Sequence, residues 1–249
     1  MSLPKPVASY TISDQERMSK ATRYFAWQKR LVGWELGQRV LEIGCGVGNF
    51  TSMLLDREIV VGIDIEPGCI EKLKQRFPGH QNLHAFACDV NDPAFLDLRR
   101  FELDSCVCLN VLEHIEDDRG ALEGIASALV PGGRIILIVP AFPALYGPID
   151  RNLGHYRRYS RSSMTATAQA AGLRVRTMHY MNTVGWFGWW VNACILKREA
   201  QSDLQVEFFD RFVVPPMSLA EGIVKPWFGQ SLFVVLEHNE GLDHHSYLQ

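Results

Sequence analysis

The sequence predicts an α/β fold of the Rossmann-like kind, a doubly wound sheet of about seven mostly parallel strands. Short apolar runs alternate with helix-like segments from Arg39 to Val139. The runs are continuously apolar, which is typical of parallel strands that are covered on both faces. Glycines at positions 44, 46 and 48 follow the first run, at the end of the strand where such sheets bind ligands.

Each element is predicted from its own local signals. The predicted strands are Val40–Ile43, Ile59–Ile63, Leu83–Cys88, Ser105–Leu109, Arg134–Val139, Arg174–Tyr180 and Ser231–Glu237. Apolar spacing and caps such as Ser160 and Gly172 predict the helices. These are Asn49–Asp56, Pro67–Phe77, Asp117–Val130, Ser160–Ala171, Gly185–Arg198 and Phe208–Val224, with a break at Pro215-Pro216. The last two helices form an aromatic insert before the last strand, and Ala141–Arg158 is predicted to be a long loop.

The 249 residues, 47% of them hydrophobic, predict one domain. Its parts are an N-terminal helical segment (1–35), a ligand-binding core (36–140), a loop, insert and last strands (141–238) and a tail (239–249). A net charge of −3 argues against nucleic acid as a partner. The six cysteines show no metal spacing. The cysteines are expected to be reduced, and the N-terminus is unlike a signal peptide. The longest apolar stretch has roughly 12 residues, whereas a bilayer span needs about 20. These features predict a cytoplasmic protein.

The glycine turn and two acids indicate the kind of ligand. Asp64 ends the second predicted strand, where a carboxylate can accept both hydroxyls of a ribose. A dinucleotide fingerprint starting at Gly44 needs glycine at position 49, which is asparagine. Glu42 would repel a pyrophosphate but suits a nucleoside that carries an ammonium and a sulfonium group.

These segments resemble the class I S-adenosylmethionine-dependent methyltransferases. The resemblance is carried, in chain order, by Val40–Gly48, Gly62-Ile63-Asp64, Cys88-Asp89-Val90, Leu109–Ile115 and Leu129–Arg134. Leu145–Asp150, Leu153–Ser160 and Gly229–Leu232 further resemble a bacterial subgroup that is often encoded beside or fused to glycosyltransferases. The resemblance implies S-adenosylmethionine as cofactor and S-adenosylhomocysteine as product. It also implies methyl transfer to oxygen or nitrogen of a small-molecule or lipid- or sugar-linked acceptor.

The residues predicted to bind the cofactor come from the ends of the first four strands and the N-terminal segment. They are Glu42, Gly44, Cys45, Gly46, Asp64, Ile65, Asp89, Val90, Asn110 and Tyr24. Several of these have an alternative interpretation. The glycines could form a purely structural tight turn, and Asp64 could cap the helix that begins near Pro67. Asp89 could cap its own local turn. Tyr24 could belong to an amphipathic helix packed on the sheet.

The long loop and the insert are predicted to receive the acceptor. His155 and His114 are candidate general bases, and Asp150 could orient His155. The residues predicted to bind the acceptor are Tyr146, Arg157, Arg158, Tyr159 and Trp186. The alternatives are a solvated basic loop, and packing or membrane contact of the aromatic insert. No metal is predicted, because Glu113, His114 and the nearby acids do not form a convincing ligand set.

Three interpretations of function remain at this point. The first is a methyltransferase. The second is a non-catalytic S-adenosylmethionine-binding module. The third is a nicotinamide-dependent oxidoreductase, against which Asn49 and Glu42 argue. Peripheral membrane contact and oligomer formation stay open.

Overall fold

The computed structural model describes residues 15–16, 18–191 and 203–238. Seven strands form one sheet: β1 (Arg39–Ile43), β2 (Ile59–Asp64), β3 (Leu83–Ala87), β4 (Leu103–Leu109), β5 (Leu129–Pro140), β6 (Leu173–Met181) and β7 (Ser231–His238). Their order is β3-β2-β1-β4-β5-β7-β6, and β7 is antiparallel to both of its neighbours. The prediction of about seven mostly parallel strands is confirmed.

Helices connect the strands. The α-helices are α1 (Thr22–Val32), α2 (Pro67–Arg76), α3 (Asp118–Ala128), α4 (Pro148–Asn152), α5 (Arg161–Ala170), α6 (Thr183–Trp190), α7 (Asp203–Phe208) and α8 (Val214–Ile223). Single 3-10 turns or short 3-10 helices lie at Thr51–Met53, Pro93–Phe101, Leu112–His114 and Pro143–Leu145, and a π-helical turn lies at Phe209–Val213. The segment between β6 and β7, which includes α6 to α8, is the predicted insert between the last two strands.

The central strands are largely apolar because they are buried on both faces, whereas the edge strands β3 and β6 are only partly buried. In β1, Val40 packs into a core with Val60, Val107 and Ile136 on one face of the sheet. The next residue, Leu41, packs into the core on the opposite face. Consecutive side chains of a strand point to opposite faces, so both must be apolar. The sheet therefore lies between two cores.

Three predicted elements are wrong in detail. Asn49–Asp56 is not a helix; after the glycine turn it has only the 3-10 turn Thr51–Met53. Here the Thr51 hydroxyl donates to the Glu42 carboxylate and the Ser52 hydroxyl to the Asn49 carbonyl. Such side-chain bonds compete with a regular helix. The predicted loop Ala141–Arg158 contains a 3-10 turn and the helix α4. Pro215-Pro216 does not break a helix but lies in the first turn of α8, where the backbone N–H groups are not needed for helical hydrogen bonds.

Within the described part of the chain, no helix combines the length and the apolarity that crossing a membrane requires. The predictions for residues 1–14, for Gly185–Arg198 beyond position 191, and for the tail 239–249 lie wholly or partly outside the described residues.

Candidate active site

The glycine turn after β1 is held by the backbone of β2. The N–H groups of Gly44 and Cys45 both donate to the Ile63 carbonyl, at 2.8 and 3.0 Å. Gly44 and Gly46 have φ angles of 72° and 53°, a region that disfavours side chains. A Cβ on Gly44 would lie 2.3 Å from the Val111 side chain. Glycine therefore lets the turn pass between the ends of β2 and β4.

Asp64 closes this turn from the carboxyl end of β2. One carboxylate oxygen accepts a hydrogen bond from the Gly46 N–H at 2.9 Å, and the other accepts from the Glu66 N–H at 3.0 Å. Burial raises the pKa of Asp64, whose exposed fraction is 8%. Ile65, the next residue, is 74% exposed. The predicted ribose acid thus lies against the glycine turn, beside an exposed apolar side chain.

Glu42 lies beneath the turn and is buried. Its carboxylate accepts a 2.6 Å hydrogen bond from the Thr51 hydroxyl. Burial raises the pKa of Glu42 to about 8, and the nearby Asp64 raises it further, although the Thr51 bond opposes the shift. Cys45 is also buried and packs toward Gly62, where an added Cβ would lie 3.2 Å from its sulfur. Burial raises the Cys45 pKa, so the thiol is not prepared for chemistry.

The ends of β3 and β4 carry the other predicted cofactor residues. Asp89 is exposed and accepts hydrogen bonds from the backbone and side chain of Asn91, at 2.8 and 3.1 Å. That is the local turn named as its alternative role. Val90 is buried. Asn110 is exposed, has a φ of 54°, and donates its N–H to the Ile138 carbonyl at 2.7 Å.

Tyr24 makes the packing contacts that were its alternative role, and its assignment to the cofactor stays a prediction. Its ring packs edge-on against Trp27 at 5.8 Å, and its N–H donates to Asp210 at 2.8 Å, so it joins α1 to the insert. Gln15 contacts the glycine turn instead, and its amide oxygen accepts from the Val47 N–H at 2.9 Å. Sequence reasoning missed Gln15 because no pattern distinguishes it from other polar residues of the N-terminal segment.

A second group of side chains lies just beyond β4, where the predicted loop packs on the turn Leu112–His114. The Tyr156 N–H donates to the Glu113 carbonyl at 2.8 Å, which joins the two segments. The rings of His114 and His155 meet edge to face, with centroids 4.6 Å apart. His155 Nδ1 lies 2.9 Å from the Asp150 carboxylate. The structure therefore brings together the three residues that were predicted to activate the acceptor.

Glu113 is a member of this group that sequence reasoning set aside. It is fully buried, and burial raises its pKa to about 7, although the nearby His155 opposes the shift. Ligand atoms of Glu113, His114 and His155 all lie within 4.8 Å of one another. The sequence did not predict this cluster, because its third member, His155, is distant from Glu113 and His114 along the chain.

Two residues predicted to bind the acceptor are buried within the protein. Arg158 is buried, donates to the Asp150 carboxylate at 2.8 Å and to the Ala141 carbonyl at 3.1 Å, and lies over the Trp189 ring. Tyr159 is buried too, and its hydroxyl donates to Asp118 at 2.9 Å. These side chains hold the loop in place, and acceptor binding by either of them stays a prediction.

The other three predicted acceptor residues lie nearer the surface. Arg157 is half-buried, pairs with Asp118 at 2.8 Å, and donates to the Glu116 carbonyl. The Tyr146 hydroxyl donates to the His155 carbonyl at 2.7 Å, so Tyr146 positions His155. Trp186 is half-buried and packs edge-on against Phe142. Acceptor binding by these residues stays a prediction.

The fold resembles those of solved methyltransferases. A chain from the complex of the Haloferax volcanii Trm112 methyltransferase activator with a methyltransferase superposes with a TM-score of 0.63 at 16% identity, over 94% of this chain and 99% of that chain. The N-methyltransferase NodS of Bradyrhizobium japonicum WM9, solved with S-adenosylhomocysteine, gives 0.53 at 18% identity, over 88% and 86%. The sheet and its glycine turn thus define a protein of the methyltransferase fold class.

The sequence comparisons agree with the fold. Residues 41–135 match the family model described as a methyltransferase domain. The ubiquinone biosynthesis O-methyltransferase of Coxiella burnetii (strain RSA 493 / Nine Mile phase I) is 24% identical over 161 residues, which are 58% of this chain and 68% of that protein. The enzyme of the same name from Aeromonas salmonicida (strain A449) is 25% identical, over 62% and 71%. The family match, the related O-methyltransferases and the fold together support a class I, S-adenosylmethionine-dependent methyltransferase, the class that the resemblance implies.

Proposed function

We propose that the protein transfers the methyl group of S-adenosylmethionine to an oxygen of a small apolar acceptor. Glu42, Gly44, Gly46 and Asp64 hold the cofactor, and Ile65, Val90 and Asn110 border it. The observation that carries the proposal is the hydrogen bond from the Gly46 N–H to the Asp64 carboxylate. It joins an acid and a glycine turn at the ends of two adjacent strands, where such sheets bind nucleosides. The names of the related O-methyltransferases support oxygen as the acceptor atom.

The reaction asks little of the protein beyond alignment. The sulfonium is already an activated leaving group, so the enzyme must bring the acceptor oxygen in line with the methyl carbon and the sulfur. A hydroxyl acceptor must also lose its proton. The group formed by Glu113, His114 and His155, near the end of β4, is our candidate for this activation.

Calorimetry with S-adenosylhomocysteine and with NAD tests the cofactor assignment. We expect S-adenosylhomocysteine to bind to one site and NAD to give no measurable heat, because position 49 is asparagine where a dinucleotide fingerprint needs glycine. Binding of NAD with equal or greater affinity would contradict the proposal. Binding of S-adenosylhomocysteine without methyl transfer to any compound in a broad acceptor screen would favour a non-catalytic binding module.

Cofactor binding is expected to release a proton. With its pKa raised to about 8, Glu42 is mostly protonated at pH 7 in the free enzyme. The ammonium group of the ligand favours the ionised form, so binding releases up to about one proton, and affinity rises as the pH increases toward 8. Calorimetry in buffers of different ionisation enthalpy measures this release.

The Glu42→Gln variant is the control for this measurement, because it keeps the shape of the side chain but cannot ionise. We expect its binding to be weaker and to release no proton from this position. Equal proton release by the two proteins would show that the proton comes from another group.

The insert carries exposed apolar side chains that suit an apolar acceptor or the lipid surface in which such an acceptor dissolves. Those of Phe187, Phe208, Phe212, Leu219, Ile223 and Trp227 are each more than half exposed. Tryptophan and phenylalanine favour the boundary between water and lipid. We propose that this part of the insert touches the membrane surface.

Flotation with vesicles of phosphatidylethanolamine and anionic phosphatidylglycerol tests this contact. We expect the wild type to float and the double variant Phe212→Ser/Trp227→Ser to stay in the soluble fraction. Trp34→Ser is the matched control, because Trp34 is 90% exposed but lies outside the insert. Absence of wild-type protein from the floated fraction would rule out the contact.

A further inference from the structure

The carboxylate of Glu113 has no side-chain hydrogen bond in the described part of the structure. The side chain is fully buried, and neither of its oxygens accepts or donates a hydrogen bond. Buried polar groups are nearly always hydrogen-bonded, and a buried carboxylate without a counter-charge is costly. A position of this kind calls for a group that supplies positive charge.

Two imidazoles lie next to this carboxylate. His155 Nε2 is 4.0 Å from Glu113 Oε1, and the His114 ring meets the His155 ring edge to face. The three ligand atoms lie within 4.8 Å of one another. Ligands held by one cation at about 2.1 Å lie about 3.4 Å apart in tetrahedral geometry, so small side-chain movements would close the cluster around an ion.

The surroundings of His155 are those of a metal-bound histidine. Its Nδ1 lies 2.9 Å from the Asp150 carboxylate, which is itself held by Arg158 and by the Gly147 N–H. Ligating histidines commonly donate their second ring N–H to a carboxylate, which fixes the tautomer and directs the other nitrogen to the metal. Here that other nitrogen, Nε2, faces Glu113. A general base would need Nε2 to face the acceptor instead.

The geometry points to a binding site for one divalent cation of the first transition series, held by Glu113, His114 and His155. Two imidazoles and one carboxylate are a ligand set suited to ions such as Zn²⁺ or Mn²⁺ rather than to Mg²⁺, which prefers oxygen. Three protein ligands leave coordination positions open. His114 is exposed, so these positions are reachable from its side of the cluster.

The cation would activate the acceptor. This role rests on the proposed function, whereas the binding of the cation to the protein does not depend on it. An acceptor hydroxyl bound to the ion has a lowered pKa and gives its proton to water. The oxygen then forms a bond to the methyl carbon, the carbon–sulfur bond breaks with its electron pair going to sulfur, and S-adenosylhomocysteine leaves. The cation replaces the general-base role that the sequence predicted for His155.

The test is direct metal binding by the full-length chain after treatment with a chelator. Zn²⁺ is titrated by calorimetry, and Mn²⁺ is followed by electron paramagnetic resonance. We expect one tight ion per chain, and binding at least about ten-fold weaker in Glu113→Gln and His114→Ala, as ligand loss requires. His114→Ala is included because its exposed position makes correct folding the expected outcome.

Two controls make the result specific. The double variant His244→Ala/His245→Ala removes the adjacent histidines near the end of the sequence and is expected to keep the tight site. Each protein is also titrated with S-adenosylhomocysteine, which reports on the cofactor site alone. A wild type that binds S-adenosylhomocysteine but no stoichiometric metal overturns the cation site and leaves the proposed function intact. Equal metal binding by wild type and His114→Ala also overturns it.

Discussion

Asparagine in place of Asp64 is expected to weaken S-adenosylhomocysteine binding more than about 100-fold, or about 3 kcal/mol. Both oxygens of Asp64 accept backbone N–H groups, one from Gly46 and one from Glu66. An asparagine amide has one acceptor oxygen and one NH₂ group, so one of these N–H groups would meet a donor. The variant therefore loses the acid proposed to bind the ribose and also loosens the glycine turn.

Asp117→Asn is the matched control for this prediction. Asp117 also accepts a backbone hydrogen bond, from the Gly120 N–H at the start of α3, and has no role in the proposed cofactor site. We expect it to bind S-adenosylhomocysteine as the wild type does. Affinity of a folded Asp64→Asn protein within about three-fold of the wild type, a difference of less than about 1 kcal/mol, would remove Asp64 from the cofactor site.

Asn in place of Asp150 is expected to lower the free energy of unfolding by about 3–5 kcal/mol. Asp150 is fully buried and is the ion-pair partner of Arg158, which is also buried. The hydrogen bond to His155 and the charge of Arg158 hold the pKa of Asp150 below its usual value, although burial alone would raise it. Removing the carboxylate charge removes the ion pair that the buried Arg158 guanidinium makes with Asp150.

Urea unfolding at neutral pH with a chelator present measures this loss without any contribution from a bound cation. Glu123→Gln serves as the control, because it breaks the exposed pair of Glu123 with Arg119 on α3. An exposed pair of this kind contributes about 0–1 kcal/mol. Similar unfolding midpoints for Asp150→Asn and Glu123→Gln would show that Asp150 does not stabilise the loop.

The strands and the glycine turn around the proposed cofactor site could be predicted from the sequence because their signals are local. Gly44, Gly46 and Asp64 stand at fixed places after strands whose apolar runs are unmistakable, and parallel pairing of β1 with β2 brings them together. The predicted helix at Asn49–Asp56 is wrong for an equally local reason, the bonds of Thr51 and Ser52.

The acceptor half could be predicted only in part. His114 and His155 were recognised as chemically suitable, but their meeting with Glu113 depends on how the loop packs on the end of β4, which no spacing rule describes. The inward direction of Arg158 is likewise a tertiary effect, since a loop arginine is usually solvated. Burial here follows from its pairing with Asp150.

The attachment of the insert bears on how such an enzyme could acquire new specificities. The insert leaves the sheet at Met181 and returns at Ser231, and these two residues are register partners in the antiparallel pair of β6 and β7. A segment whose ends are neighbours can be exchanged, shortened or extended while the strand ladder beneath it keeps its alignment. Divergence among relatives is therefore expected to concentrate in this exchangeable module, and grafting it between homologues offers a route to transplanting acceptor preference.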